Sequence, residues 1–338
     1  MADCLALPIV EPSQVAAARR LSVALASRRG FDETEAGKVA IVVTELATNV
    51  IKHASGGELL VRGVPQDGME TIEVMALDTG RGIPNVDQCL RDGYSTAGTP
   101  GNGLGAIMRL AGLFDIHTVP AVGTAVLVRV FGGKPRAVPS PPPLDIGAVS
   151  VPRPGQELCG DGWAAEEQAG GAAIVIVDGL GHGASAAEAA TAATQAFRDN
   201  AGLAPAARLH CIHGALRSTR GAAVAVAEVD PDHGTLRFCG VGNISGTVLS
   251  DQGPRKMVSQ NGTVGHEMRK VSEFTYPWPE NALLVLHSDG LSTHWSLDGY
   301  PGLSRRRPSL IAGVLYRDFK RGRDDVTVVV AKGGKPEA

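Results

Sequence analysis

The chain has 338 residues, of which 43% are hydrophobic and only 4% aromatic, with a formal net charge of -3. That length suits two domains with cores of Val, Leu, Ile and Ala, and the near-neutral charge excludes a general electrostatic pull toward nucleic acid or an anionic membrane. Five cysteines, Cys4, Cys89, Cys159, Cys211 and Cys239, stand without CxxC spacing, which argues against a zinc site or a disulfide framework and fits a reducing cytoplasm.

The N-terminus, Met-Ala-Asp-Cys, lacks the basic region and apolar run of a signal peptide, and no stretch approaches the ~20 apolar residues that span a bilayer. Apolar spacing predicts amphipathic helices over residues 12–29 and 33–53, then strands over 59–64 and 71–77, a helix over 106–113 and a strand over 124–131. This is an α/β sandwich pattern. Composition breaks at residues 132–143, where GGKPRAVPSPPP mixes loosening glycines with stiff prolines, so a linker is expected between a first domain, 1–131, and a second, 144–338. Beyond it, β-rich runs over 172–177, 222–229, 235–239, 282–286 and 326–331, with helices over 184–198 and 309–319, predict packed antiparallel sheets, for an α+β chain as a whole. The basic run Arg305, Arg306 and Arg307 reads as a solvated loop.

In the second helix Val39, Val43, Leu46 and Val50 can face a core, which leaves Glu45, Asn49 and His53 stacked on another face. Asn49 can offer an amide oxygen to Mg²⁺, and Glu45 one turn away can orient or deprotonate an attacking hydroxyl. At the end of the next strands, Asp78-Thr-Gly-Arg-Gly-Ile-Pro supplies a carboxylate that can accept a hydrogen bond from an exocyclic amine, with glycines where a ligand needs close backbone approach. The stretch 98–105, GTPGNGLG, running into a helix, offers backbone N–H groups to phosphates, and Gly123-Thr124 ahead of a strand completes the set.

These residues resemble the histidine-kinase-like ATPase superfamily across roughly residues 8–131, with TELATNVIKHA as its N-box and DTGRGIP and GNGLG as its glycine boxes. Within it the segment is similar to the anti-sigma-factor serine kinases, especially the switch kinase of bacterial stressosome pathways. The resemblance implies Glu45 as catalytic base, Asn49 as Mg²⁺ ligand and Asp78 as adenine reader, with Gly80, Gly82, Gly103 and Gly105 shaping the ATP pocket. A sensor histidine kinase would carry a phosphoacceptor-histidine helix ahead of this domain, and only a short stretch precedes it here.

In the second half, Gly160-Asp161-Gly162, the strand-ending Asp178-Gly-Leu-Gly-His-Gly183, Ser288-Asp289-Gly290 and Arg323-Asp324-Asp325-Val-Thr set four acidic points at strand ends. Clustered buried carboxylates are reconciled by divalent cations, and all-oxygen ligands favour Mg²⁺ or Mn²⁺ over zinc. Two such ions can hold a hydroxide for in-line displacement at phosphorus. The order GD, DGLGHG, SDG, RDDVT resembles the protein phosphatase 2C superfamily in its bacterial sporulation and stress-response branch, over about residues 144–332. That resemblance implies an α-β-β-α sandwich, with Asp161, Asp178, Asp289, Asp324 and the Gly179 carbonyl as metal ligands. It leaves His182 as either a proton donor or a stabiliser of its turn. The Arg-x-x-Met-Glu-Asp element of eukaryotic relatives is not evident, and Arg153 occupies only a loosely comparable place.

Together the resemblances imply a cytoplasmic, bifunctional enzyme that phosphorylates Ser or Thr of STAS-domain antagonist or scaffold proteins with ATP and Mg²⁺, and dephosphorylates phosphoserine or phosphothreonine with Mn²⁺ or Mg²⁺. A sigma-factor regulator or another phosphatase is a further implied partner. The alternative is a partner-switching module that binds ATP only to condition its hold on a sigma factor or regulator, with the phosphatase as sole enzyme.

Overall fold

The computed structural model describes residues 4–54, 56–65, 68–90, 103–133, 142–168, 170–268 and 271–333. The chain divides into two compact units, one comprising Ala2–Pro139 with Leu297–Arg306, the other Ser140–Ser296 with Arg307–Ala338. Most of the expected linker lies outside the described residues. The segment Leu297–Arg306, expected within the second domain, groups with the first unit.

In the first unit β1 (Cys4–Ile9), α1 (Pro12–Arg28), α2 (Glu33–His53), β2 (Gly57–Gly63), β3 (Thr71–Asp78), α3 (Val86–Leu90), α4 (Gly103–Leu110), β4 (Leu113–Val119) and β5 (Gly123–Phe131) follow in order. The strands form one antiparallel sheet, β1-β2-β3-β5-β4. Capping fixes where α2 begins: Asp32 Oδ1 accepts the Glu35 N–H at 2.8 Å while Glu35 Oε2 accepts the Asp32 N–H at 3.0 Å. The expected stripe of Val39, Val43, Leu46 and Val50 is buried with Leu59, Val61, Ile72, Val74, Val126 and Val128 of the sheet. The helix expected to run to residue 113 instead ends at Leu110. Gly112 passes so close to Phe131 that a Cβ there would lie 2.2 Å from its ring, and the chain re-enters the sheet as a strand.

The opposite face of this sheet carries a charged row. Glu73 faces Arg62 on one side and Arg129 on the other in strand register. It accepts from Arg62 Nε and Arg129 Nε, each at 2.8 Å. All three side chains are buried. Burial alone would raise the Glu73 pKa, but the two guanidinium groups outweigh it and hold it below the usual value. On the same face, His117 Nε2 lies 3.2 Å from the Pro301 carbonyl oxygen and Arg306 pairs with Asp115 at 3.2 Å. The basic run is therefore exposed, as expected, yet ion-paired: Arg307 reaches Asp145 at 3.2 Å.

In the second unit β6 (Leu144–Val151), β7 (Asp161–Gln168), β8 (Gly171–Gly179), α5 (Ala184–Asp199), α6 (Pro205–Ala215), β9 (Ala222–Asp230), β10 (Thr235–Val241), β11 (Ser245–Leu249), β12 (Arg255–Lys256), β13 (Phe274–Pro277), β14 (Leu283–His287), α7 (Pro308–Phe319) and β15 (Val326–Gly333) build two five-stranded antiparallel sheets. Their orders are β13-β10-β9-β8-β7 and β12-β11-β14-β15-β6. Ile174, Ile176, Ala225 and Phe238 of the first sheet share a core with Leu284, Leu286, Val329 and Ala331 of the second. Helices α5 and α6 cover the outer face of the first sheet, and α7 packs on β6 and β15. The result is the expected α-β-β-α sandwich. Alanine packing brings α5 close: a Cβ on Gly162 would lie 3.2 Å from the Ala190 Cβ. Among the described residues no helix is long and apolar enough to cross a membrane.

Because Glu73 neutralises two buried cations, Glu73→Ala is expected to cost about 3 kcal/mol by stranding them. The measurement is the melting transition of the full chain. An unchanged transition would mean the row contributes nothing net.

Candidate functional sites

The first site gathers on α2. Glu45 and Asn49 lie one turn apart and partly exposed, while Leu46 and Val50 beside them are buried. Gly103, the first residue of α4, stands against both: a Cβ there would sit 3.2 Å from Glu45 Oε2 and 3.8 Å from the Asn49 amide atoms. A side chain at that position would fill the space in front of the pair. Gly105 is buried within the same helix. Residues 91–102, with most of the expected glycine-rich lid, lie outside the described residues.

Asp78 ends β3 with Oδ1 accepting the Gly80 N–H at 2.8 Å and the Thr124 N–H at 3.2 Å. These donors aim its carboxylate. Gly80 is squeezed against Ala54, and Gly82 adopts a φ of +71° beneath the Val119 carbonyl, so the loop can close only with glycines. Thr118, which no motif marked, holds the loop by accepting the Ile83 N–H at 2.8 Å and lies 3.2 Å from the Thr124 hydroxyl. His53, the third member of the helix stack, is exposed, with its pKa lowered by burial and then by Arg81.

The second site forms where strands of both sheets in the other unit end. Asp161 opens β7 directly opposite Asp178 at the end of β8. Asp289 follows β14, and Asp324 and Asp325 precede β15. The group is strongly interacting. Burial and then Asp178 raise the Asp161 pKa well above its usual value. Burial, then Asp289, Asp324 and Asp325, push Asp178 up to about 7. Burial and then Asp324 raise Asp289. Among the described residues no three His, Cys, Asp or Glu side chains stand close enough together to form a ready-made metal cage. An excess of negative charge at strand ends with only oxygen donors fits divalent cations of the Mg²⁺ or Mn²⁺ kind.

Neighbours hold these carboxylates in place. Ser288 donates to Asp161 Oδ2 at 2.6 Å and accepts the Thr327 N–H at 3.0 Å. Asn243 donates to Asp289 Oδ2 at 2.7 Å. Asp325, buried beside the exposed Asp324, accepts from the backbone N–H groups of Arg153 at 2.8 Å and Gly160 at 3.0 Å, pinning the turn that delivers Asp161. Gly179 is walled in by the Ala186 carbonyl, 2.4 Å from where its Cβ would be. His182 is exposed in the loop after it. Sequence reasoning missed Asn243 and gave Asp325 and Ser288 no separate role. Ser288 and Asp325 sat inside quoted motifs, whereas Asn243 carried no signal.

Residues 10–130 match the family model described as Histidine kinase-like ATPase domain. The chain is also 30% identical over 126 residues to serine/threonine-protein kinase RsbT of Bacillus subtilis (strain 168), covering 37% of this chain and 95% of that protein. This chain belongs to the RsbT-type histidine kinase-like ATPase family. Behind the RsbT-type kinase domain, residues 168–333 match the family model Stage II sporulation protein E (SpoIIE). A solved chain of the bacterial stressosome, described as a modular system adapted to control secondary messenger signalling, is 28% identical with a TM-score of 0.53, over 56% of this chain and 99% of that one. RsbX in complex with magnesium is 18% identical with a TM-score of 0.49, over 56% of this chain and 95% of that one. The protein is an enzyme with an RsbT-type serine/threonine-kinase domain and a SpoIIE-type phosphatase domain, a pairing that fits regulation by partner switching.

The crowding at Asp178 has a measurable cost. A carboxyl whose pKa is higher folded than unfolded keeps a proton the unfolded chain has lost, so the metal-free fold is favoured as pH falls from above 7 toward 4 and loses that support as pH rises. Asp178→Asn should therefore stabilise the chelator-treated protein at pH 8 by about 1 kcal/mol, with the gain shrinking toward pH 5. Melting curves at the two pH values test this. An equal or negative shift at pH 8 would contradict the repulsion.

Proposed function

We propose that this protein runs opposed reactions in a bacterial stress-response partner-switching pathway. Its first unit phosphorylates Ser or Thr of STAS-domain antagonist or scaffold proteins with ATP, and its second hydrolyses phosphoserine or phosphothreonine. Such a role belongs in the cytoplasm, where ATP is held. The observation that carries the reading is that one chain presents both the Glu45–Asn49 pair against Gly103 and the interacting carboxylates Asp161, Asp178, Asp289 and Asp324.

In the kinase unit Glu45 takes the proton of the attacking hydroxyl and Asn49 would hold Mg²⁺ through its amide oxygen. Asp78, aimed by the Gly80 and Thr124 N–H groups, accepts a hydrogen bond from the adenine amine. Gly80, Gly82, Gly103 and Gly105 leave room for the nucleotide, and the amides at the start of α4 face its phosphates. Transfer then depends on positioning and charge neutralisation.

In the phosphatase unit Asp161, Asp178, Asp289, Asp324 and the Gly179 carbonyl would hold Mn²⁺ or Mg²⁺. Two ions bound there would supply a water of lowered pKa and neutralise charge at phosphorus. Ser288 orients Asp161, Asn243 orients Asp289, and Asp325 fixes the Gly160 turn.

Intact mass spectrometry tests both halves on one substrate. With ATP and Mg²⁺, the Asp289→Asn protein should add phosphate to a STAS-domain protein, and wild-type protein with Mn²⁺ should then remove it. Glu45→Ala should retain ATP binding while transfer falls by about 10²–10³-fold. Undiminished transfer in that variant would remove Glu45 as base, and ATP binding without transfer to any STAS protein would overturn the kinase reading.

A further inference from the structure

Beside the carboxylates of the second unit lies a pocket of about 400 Å³ whose walls include Asn243, Thr247, Lys256, Met257, His287 and Trp295. It is continuous with the proposed phosphatase site through one residue, since the Asn243 amide that borders the pocket is the group that donates to Asp289. Hydrogen bonds hold two of the lining side chains in place. His287 is 1% exposed, and its Nδ1 lies 2.8 Å from the Ser288 carbonyl oxygen. That oxygen can only accept, so Nδ1 carries the proton and Nε2 is left to accept the Trp295 indole N–H, at 3.1 Å. The indole is thereby fixed, and the chain of contacts runs on from Ser288 to Asp161. At that volume it falls within the range of pockets that take a ligand or substrate side chains.

The charge inside is distinctive. Lys256 lies on β12, the outermost strand of its sheet, and is exposed. Among the described residues no carboxylate pairs with it. On the Asp289 side, by contrast, the carboxylates are the proposed ligands of the metal ions, so their charge is spent on those ions. A substrate segment with an acidic residue near its phosphoresidue would thus be drawn to Lys256 while its phosphoryl group goes to the ions the carboxylates would hold, which sets the direction in which the segment lies. Met257 and Trp295, both partly buried, offer the methylene groups of that residue an apolar flank.

We propose that this pocket is the specificity site of the phosphatase, taking an acidic side chain that flanks the phosphoserine or phosphothreonine, with Lys256 as its selecting cation. The inference rests on the phosphatase reading above and adds a preference within it. The test uses the full chain with Mn²⁺ and two synthetic phosphoserine heptapeptides, one with Asp on both sides of the phosphoserine and one with Asn in the same places. The wild-type protein should favour the Asp peptide by about tenfold in kcat/KM, the value of one modest charge-assisted contact. Lys256→Ala should bring the ratio close to one, and Lys256→Glu should invert it. A wild-type ratio near one, or a ratio that survives Lys256→Ala, would overturn the proposal while leaving the phosphatase reading intact. If the wild-type protein hydrolysed neither peptide nor p-nitrophenyl phosphate, the phosphatase reading would fall. The pocket would then be judged by binding alone: the Asp peptide should quench tryptophan fluorescence in the wild type but not in Trp295→Phe or Lys256→Ala, and absence of that quench would overturn the pocket as well.

Discussion

Like charges held close together at strand ends are the constraint around which the second unit is built. Asp161 and Asp178 come from strand ends of one sheet and Asp289, Asp324 and Asp325 from loops beside strands of the other, so the sandwich must close before they meet. The backbone gives way to let them in. A Cβ on Gly290 would lie 2.0 Å from the Asp325 carbonyl oxygen, and one on Gly160 would lie 2.7 Å from Asp325 Oδ2. Hydroxyl, amide and backbone donors then hold single oxygens without cancelling the charge, which leaves the group short of positive partners and ready to receive them.

The first unit treats buried charge in the opposite way. Glu73 sits between two arginines in strand register and is fully compensated, so it serves the sheet and has no capacity left for a ligand. Glu45 and Asn49 lie instead on a helix face with Gly103, among the described residues, standing against the pair. The comparison separates two uses of a carboxylate: one closes its valences inside the protein, the other keeps them open toward a space.

The sequence was most legible where burial is symmetric. Every strand it predicted lies inside a sheet: β2, β3, β5, β8, β9, β10, β14 and β15. Those it passed over, β1, β4, β6, β7, β12 and β13, are edges, with β11 the one interior strand missed. An edge strand buries less and pairs on one side, so DGWAAEEQ of β7 carries polar residues that mask its period. The site motifs were legible because glycine and aspartate recur in fixed order at strand ends. Asn243 and Thr118 were not, because a lone amide or hydroxyl becomes informative only when folding brings it against a partner distant in sequence.

The grouping of Leu297–Arg306 with Ala2–Pro139 has a consequence for how such a protein can change. Those ten residues fall inside residues 168–333, the stretch that matches the SpoIIE model, although in space they group with Ala2–Pro139. Recombination at the proline-rich boundary would carry away one half without the piece whose carbonyl meets His117 and whose Arg306 meets Asp115. Cutting the chain at that boundary would therefore leave each half with a surface that the other stretch of sequence now covers.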